Sequence, residues 1–171
     1  MATISLGFAQ KNKSLYGWAS ALALITIFYN IAEGLVSVFF GLEDESMALF
    51  GFGLDSFVEV VSGIGIWHMV RRIRRNGGER PDRFEKTALR ITGAGFYVLT
   101  AGLAITAAAY LYQGHKPETT FWGIIVSAVS ILSMWLLIHS KVKVGAQLGS
   151  QAILADAACT RACLRLSIVL L

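Results

Sequence analysis

Apolar residues run in long blocks along this chain, and polar residues collect between them. Between Lys13 and Glu43 the only charge is Glu33, and between Glu45 and Arg71 the only charges are Asp55 and Glu59. No charge falls between Arg90 and Lys116 or between Glu118 and Lys141, and Val144 to Leu171 holds Asp156, Arg161 and Arg165. About 20 predominantly apolar residues in a helix cross the hydrocarbon core of a bilayer. The pattern therefore predicts five spans, roughly Leu15–Leu42, Met47–Val70, Thr87–Tyr112, Phe121–Ile138 and Leu148–Leu171. Strands of a membrane barrel would alternate polar and apolar over about 10 residues. Ala101–Leu111 (AGLAITAAAYL) does not alternate and is rich in alanine, a helix former. The expected fold is all-α, a polytopic transmembrane helical bundle, with residues 1–171 as a single domain.

Composition agrees with the blocks. The chain is 55% hydrophobic and 15% charged, against about 25% charged in an ordinary soluble domain. That argues against a cytosolic enzyme, a disordered tail and a disulfide scaffold. The net charge of +4 would by itself suggest an anionic partner, but its placement follows topology. Lys11 and Lys13 precede the first span, and Glu43, Asp44 and Glu45 follow it. Arg71, Arg72, Arg74, Arg75, Arg80, Arg83 and Lys86 lie after the second span, Lys116 after the third, and Lys141 and Lys143 after the fourth. Basic residues collect on the cytoplasmic side, so the N-terminus and the second and fourth loops are expected there. Such a multi-pass protein belongs in a bacterial inner membrane or an equivalent one. The arginine-rich loop would also suit RNA or anionic lipid, but topology control is the simpler reading, and no nucleic-acid module accompanies it. No cleavable leader is expected. The chain stops inside the apolar run Ile168-Val169-Leu170-Leu171, so it is expected to be truncated before a sixth span. Gly93, Gly95, Gly102, Ala107 and Ala108 suit close packing of the third span.

Ionisable groups inside a span are costly and are functional candidates by default. Asp55 and Glu59 are four residues apart, one turn along one face. Two bare carboxylates so close repel each other, so one is protonated or a cation sits between them. Asp156, Cys159 and Cys163 form a second stripe, at i, i+3 and i+7. These are the only cysteines, and a disulfide between residues four apart on a regular helix is geometrically poor. As thiolates they bind borderline or soft cations, and two carboxylates with two thiolates make the four ligands of a tetrahedral Zn²⁺ site. Cd²⁺ suits the thiolates at least as well. Cysteine is also a common small packing residue, which is the simpler reading of the pair. Asn30 and Glu33 share a face of the first span, and Glu33 is an outer ligand, a proton carrier or an arginine's partner. Arg161 and Arg165 invite pairing with acids, as in a non-transporting membrane subunit or scaffold. His68 and His139 fall at span ends and His115 in a loop, and all read as surface residues. No catalytic motif is present, and no enzyme activity is expected.

Two segments resemble the cation diffusion facilitator (cation efflux) family. Glu45 to Glu59, ESMALFGFGLDSFVE, resembles its second helix, with Asp55 and Glu59 on the two ligand positions. Ala155 to Cys163, ADAACTRAC, is similar to its fifth helix, with Cys159 and Cys163 on the ligand positions. Asn30 and Glu33 fit polar positions of the first helix. The resemblance implies a six-helix membrane domain, usually dimeric, that exports divalent cations such as Zn²⁺ from the cytoplasm in exchange for protons. It is to short members lacking the cytoplasmic C-terminal domain, similar to the vertebrate transmembrane zinc-efflux protein of synaptic vesicles. The implied metal ligands are Asp55, Glu59, Cys159 and Cys163, with Asp156, Glu33 and Asn30 in secondary or proton-transfer roles. The family's histidine is replaced, which points to a softer cation. No resident cofactor is implied; the metal is cargo.

Overall fold

A computed structural model of the chain describes residues 2–43, 46–75, 81–113 and 120–171. They form five helices with no strand among the described residues: α1 (Ala2–Glu43), α2 (Met47–Arg75), α3 (Pro81–Gln113), α4 (Phe121–Leu148) and α5 (Gln151–Leu170). The stretches Ser14–Glu43, Met47–Arg75, Phe84–Ala109 and Phe121–Leu148 are each long and apolar enough to cross a membrane. The first four expected spans are therefore helices of spanning length. The fifth expected span is a helix too, but α5 is not among those four. Its 20 residues include Asp156, Arg161 and Arg165, and these dilute its apolar character. The loop charges Asp44, Glu45, Arg80 and Lys116, together with His115, lie outside the described residues.

The largest departure from the expected organisation is at the end of α4. Lys141 and Lys143 mark no loop; α4 runs on through both to Leu148. A charge was the only reason to stop the helix there, and Lys141 is 2% exposed. Gly149 ends α4 in the left-handed region at φ 63°, which glycine adopts without the Cβ clash of other residues. The Ser150 amide bonds Gly145 O at 3.0 Å and the Gly149 amide bonds Ala146 O at 3.3 Å, which satisfies two orphan carbonyls. Ser150 then caps α5, its hydroxyl accepting from the Ile153 amide at 3.4 Å. Glu85 of α3 accepts from the Ser150 hydroxyl at 2.7 Å and the Ala152 amide at 3.0 Å. A carboxylate at a helix N-terminus also meets the positive end of the helix dipole. Two residues thus turn α4 back into α5, and α3 holds the turn.

Glycine sets how closely α1 and α2 approach. A Cβ on Gly53 would lie 2.8 Å from Val38 Cγ2 and 2.9 Å from Val38 N. One on Gly41 would lie 2.5 Å from Phe50 N. Backbone packs against backbone at these points. The stripe on α3 behaves differently. A Cβ on Gly93 or Gly102 would meet nothing within 4 Å, and Ala107 and Ala108 are exposed. Only Gly95 of that set approaches a neighbour, Val58, at 3.0 Å. The expected close packing of the third span is therefore not made within the described chain.

Two apolar cores enclose a polar layer. One contains Ala19, Leu22, Ile66, Met69, Val70, Leu137 and Val144. The other contains Leu49, Phe52, Val126, Met134 and Cys163. On α2 the residues between these cores include Asp55, Ser56, Glu59 and Ser62, all buried.

Candidate functional site

Helices α2 and α5 pair antiparallel through three polar rungs. Cys163 donates to Asp55 Oδ2. Thr160 faces Glu59, with its Oγ1 3.4 Å from Glu59 Oε2. Ser62 donates to Asp156 Oδ1 at 2.7 Å. Steps of four and three along α2 meet steps of three and four back along α5, the helical spacing that keeps one face in line. Asp55, Ser62, Glu59, Cys163, Thr160 and Asp156 are all buried.

The other helices complete the cluster. Asn30 of α1 uses both amide protons, on Thr26 O at 2.9 Å and on Glu59 Oε2 at 3.0 Å. Glu33, one turn on, accepts from Tyr29 at 2.8 Å and from Ser56 at 2.9 Å. It also borders a cavity of about 260 Å³ between α1 and α4, walled further by Tyr29, Val36, Val126 and Val129. From α4, Lys141 Nζ reaches Asp156 Oδ2 at 2.9 Å and donates to Thr160 Oγ1 at 2.9 Å. From α3, Thr92 bonds Ser62 at 2.9 Å. Ser62 spends its single proton on Asp156, so Thr92 is the donor to Ser62. A continuous chain therefore runs Thr92, Ser62, Asp156, Lys141, Thr160, Glu59, Asn30, with one member or more from each of the five helices.

Among the described residues three oxygens of this cluster have no hydrogen-bond partner: Asn30 Oδ1, Asp55 Oδ1 and Glu59 Oε1. The hydroxyls of Thr26, Ser37 and Ser127 are also unpartnered, but a hydroxyl can rotate toward an acceptor. An amide or ionised carboxylate oxygen only accepts. What those three atoms lack is a proton donor or a cation, and burying them without either costs free energy.

The sequence-derived candidates are brought together unevenly. Asp55, Glu59, Asn30 and Cys163 share one neighbourhood, since the Cys163 thiol faces both carboxyl groups. Cys159 is buried and makes no hydrogen bond to an acid among the described residues, although it lies within electrostatic reach of Glu59, Asp156 and Asp55. Thr160, its neighbour, takes the rung opposite Glu59. Asp156 pairs with Lys141. Arg161 and Arg165 are exposed, and among the described residues no ion pair joins them to the buried acids. Among the described residues no group of three or more His, Cys, Asp or Glu side chains is arranged to hold a metal ion. His68 and His139 are exposed.

Lys141 and Thr160 escaped the sequence reading. The signal for Lys141 was present: Ser130, Met134, Leu137, Lys141 and Val144 continue one helical stripe, and each is buried. Thr160 gave no such signal, because one hydroxyl in a span is unremarkable.

Compared with protein-family models, curated proteins and solved structures, the chain matches none. Among the described residues, fold and site together define a helical bundle with four helices long and apolar enough to cross a membrane and a buried ionisable cluster to which a fifth helix also contributes.

Proposed function

We propose that this protein is a divalent-cation transporter that moves Zn²⁺, or a softer ion such as Cd²⁺, out of the cytoplasm in exchange for protons. The observation that carries the reading is the set of unpartnered, acceptor-only oxygens on Asp55, Glu59 and Asn30 beside the Cys163 thiol. A divalent cation supplies the charge those oxygens lack. Thiols and carboxylic acids bind metal as anions, so cation entry displaces the proton shared by Cys163 and Asp55. Proton return from the opposite face releases the cation. Glu33, between the cavity and Ser56, is the candidate carrier for that proton. The reading includes α5 as a fifth membrane-embedded helix, a cytoplasmic N-terminus and a homodimer in the bilayer. It also includes movement of α5 against α2, because the proposed ligands do not form a ready-made metal cage.

The test is metal accumulation in metal-loaded cells. Asp55→Asn combined with Glu59→Gln is expected to abolish export while leaving protein in the membrane. Export equal to the parent would remove the site assignment.

A scaffold role is the second reading, and the Lys141–Asp156 pair favours it for Asp156. It leaves Asp55 and Glu59 without an ion pair among the described residues, although the Lys141 charge also acts on Glu59. Under that reading purified protein binds no stoichiometric metal.

A further inference from the structure

Among the described residues the cluster contains four buried acids, Glu33, Asp55, Glu59 and Asp156, and one buried cation, Lys141. That lysine is not shared evenly. Its ammonium is 2.9 Å from Asp156 Oδ2, and its other hydrogen bond goes to Thr160. The second Asp156 oxygen accepts from Ser62, so both carboxylate oxygens of Asp156 are occupied. Asp55 and Glu59 each keep one oxygen with no hydrogen-bond partner among the described residues. The polar layer is thus divided into a neutralised half and an open half. Thr160 stands at the division, accepting from Lys141 and facing Glu59.

We propose that Lys141 is a tethered counter-cation that holds Asp156 out of the cation site, leaving Asp55, Glu59 and Cys163 to select a single borderline or soft divalent ion. This rests on the transport reading, because it concerns the ligand set of that same site. The donor set gives the reason. Lys141 neutralises Asp156, so the divalent ion meets two carboxylates, Asp55 and Glu59, and one sulfur, Cys163, which binds as thiolate. A free Asp156 would add a third carboxylate and a harder donor set, favouring oxygen-seeking cations over those that prefer sulfur.

The experiment is Cd²⁺ titration of the purified full-length chain in detergent, followed by calorimetry and metal analysis. The wild type is expected to bind one Cd²⁺ per chain. Lys141→Met frees Asp156 as a further anionic ligand and is expected to tighten Cd²⁺ binding about tenfold, at the lower end of what neighbouring groups do to metal affinity, and to tighten an oxygen-seeking ion such as Mn²⁺ by more. Asp156→Asn alone turns the lysine's charge toward Glu59 and weakens binding by about the same factor. The double variant Lys141→Met with Asp156→Asn removes both charges and returns to wild-type affinity. It also keeps the test open if Lys141→Met does not fold, since no unpaired charge remains buried. Lys141→Arg retains wild-type binding. Wild-type affinity in a folded Lys141→Met protein overturns the proposal, as does a double variant that binds weakly, which would make Asp156 a ligand. A wild type that binds no Cd²⁺ overturns the transport reading itself, whereas binding that ignores Lys141 overturns only the counter-cation.

Discussion

At the scale of single residues, partners separate candidates that spacing alone made equal. Cys159 and Cys163 looked alike as a pair four apart, yet only Cys163 donates to Asp55. Cys163→Ser is therefore expected to lower Cd²⁺ preference relative to Zn²⁺ about tenfold or more, the scale of a lost soft ligand. Cys159→Ala is expected to leave that ratio unchanged, and competitive binding of the two ions reads the difference. The acids show the same sorting. Asp55 and Glu59 were legible because an ionisable residue in an apolar run carries its own warning. Lys141 was misread because a basic residue near the end of an apolar run ordinarily marks topology. Its burial depends on Asp156 15 residues later, across a turn, and no local rule reports such a pair. Lys141→Ala strands Asp156, which costs about 3–5 kcal/mol when one partner of a buried pair is removed. Thermal unfolding in detergent should show the loss, with Lys141→Met plus Asp156→Asn recovering most of it.

At the scale of elements, glycines that share a sequence signature have opposite roles. Gly53 meets Val38 and Gly34 across the α1–α2 interface, whereas Gly102 meets nothing within 4 Å. Gly53→Ala must push the helices apart and is expected to destabilise the protein; overpacking of this kind costs about 1–3 kcal/mol. Gly102→Ala adds a methyl to open space and removes glycine's entropic cost, a gain of about 0.5–1 kcal/mol. Thermal melts of the two variants side by side check both signs. Helix identity was legible throughout, because apolar blocks without alternation admit no strand. Boundaries were less so at α4, where charge outweighed the stronger signal of Gly149-Ser150, a left-handed stop followed by a cap. The α3 stripe was overread for a related reason: composition shows that small residues allow close packing, but not that a neighbour is there.

At the scale of the molecule, two apolar cores hold a polar layer to which all five helices contribute. Individually each polar contact is modest, but the chain from Thr92 to Asn30 links elements that are far apart in sequence. Such networks are costly when partly satisfied, and among the described residues the unpartnered oxygens that are not hydroxyls belong to Asp55, Glu59 and Asn30. Under the transport proposal, those acceptors are what distinguishes a cation site from a polar core built only to fix register. Charge pattern predicted the bundle and flagged the acids, while the sorting of those acids into a neutralised half and an open half needed the packing of α4 on α5. The most direct measurement is Cd²⁺ flux in proteoliposomes carrying a trapped metal-sensitive dye and an imposed proton gradient. The account predicts gradient-driven flux with the wild-type chain and none above empty liposomes with Asp55→Asn plus Glu59→Gln. Equal flux from the two proteins, or no flux from a folded wild type, would contradict it.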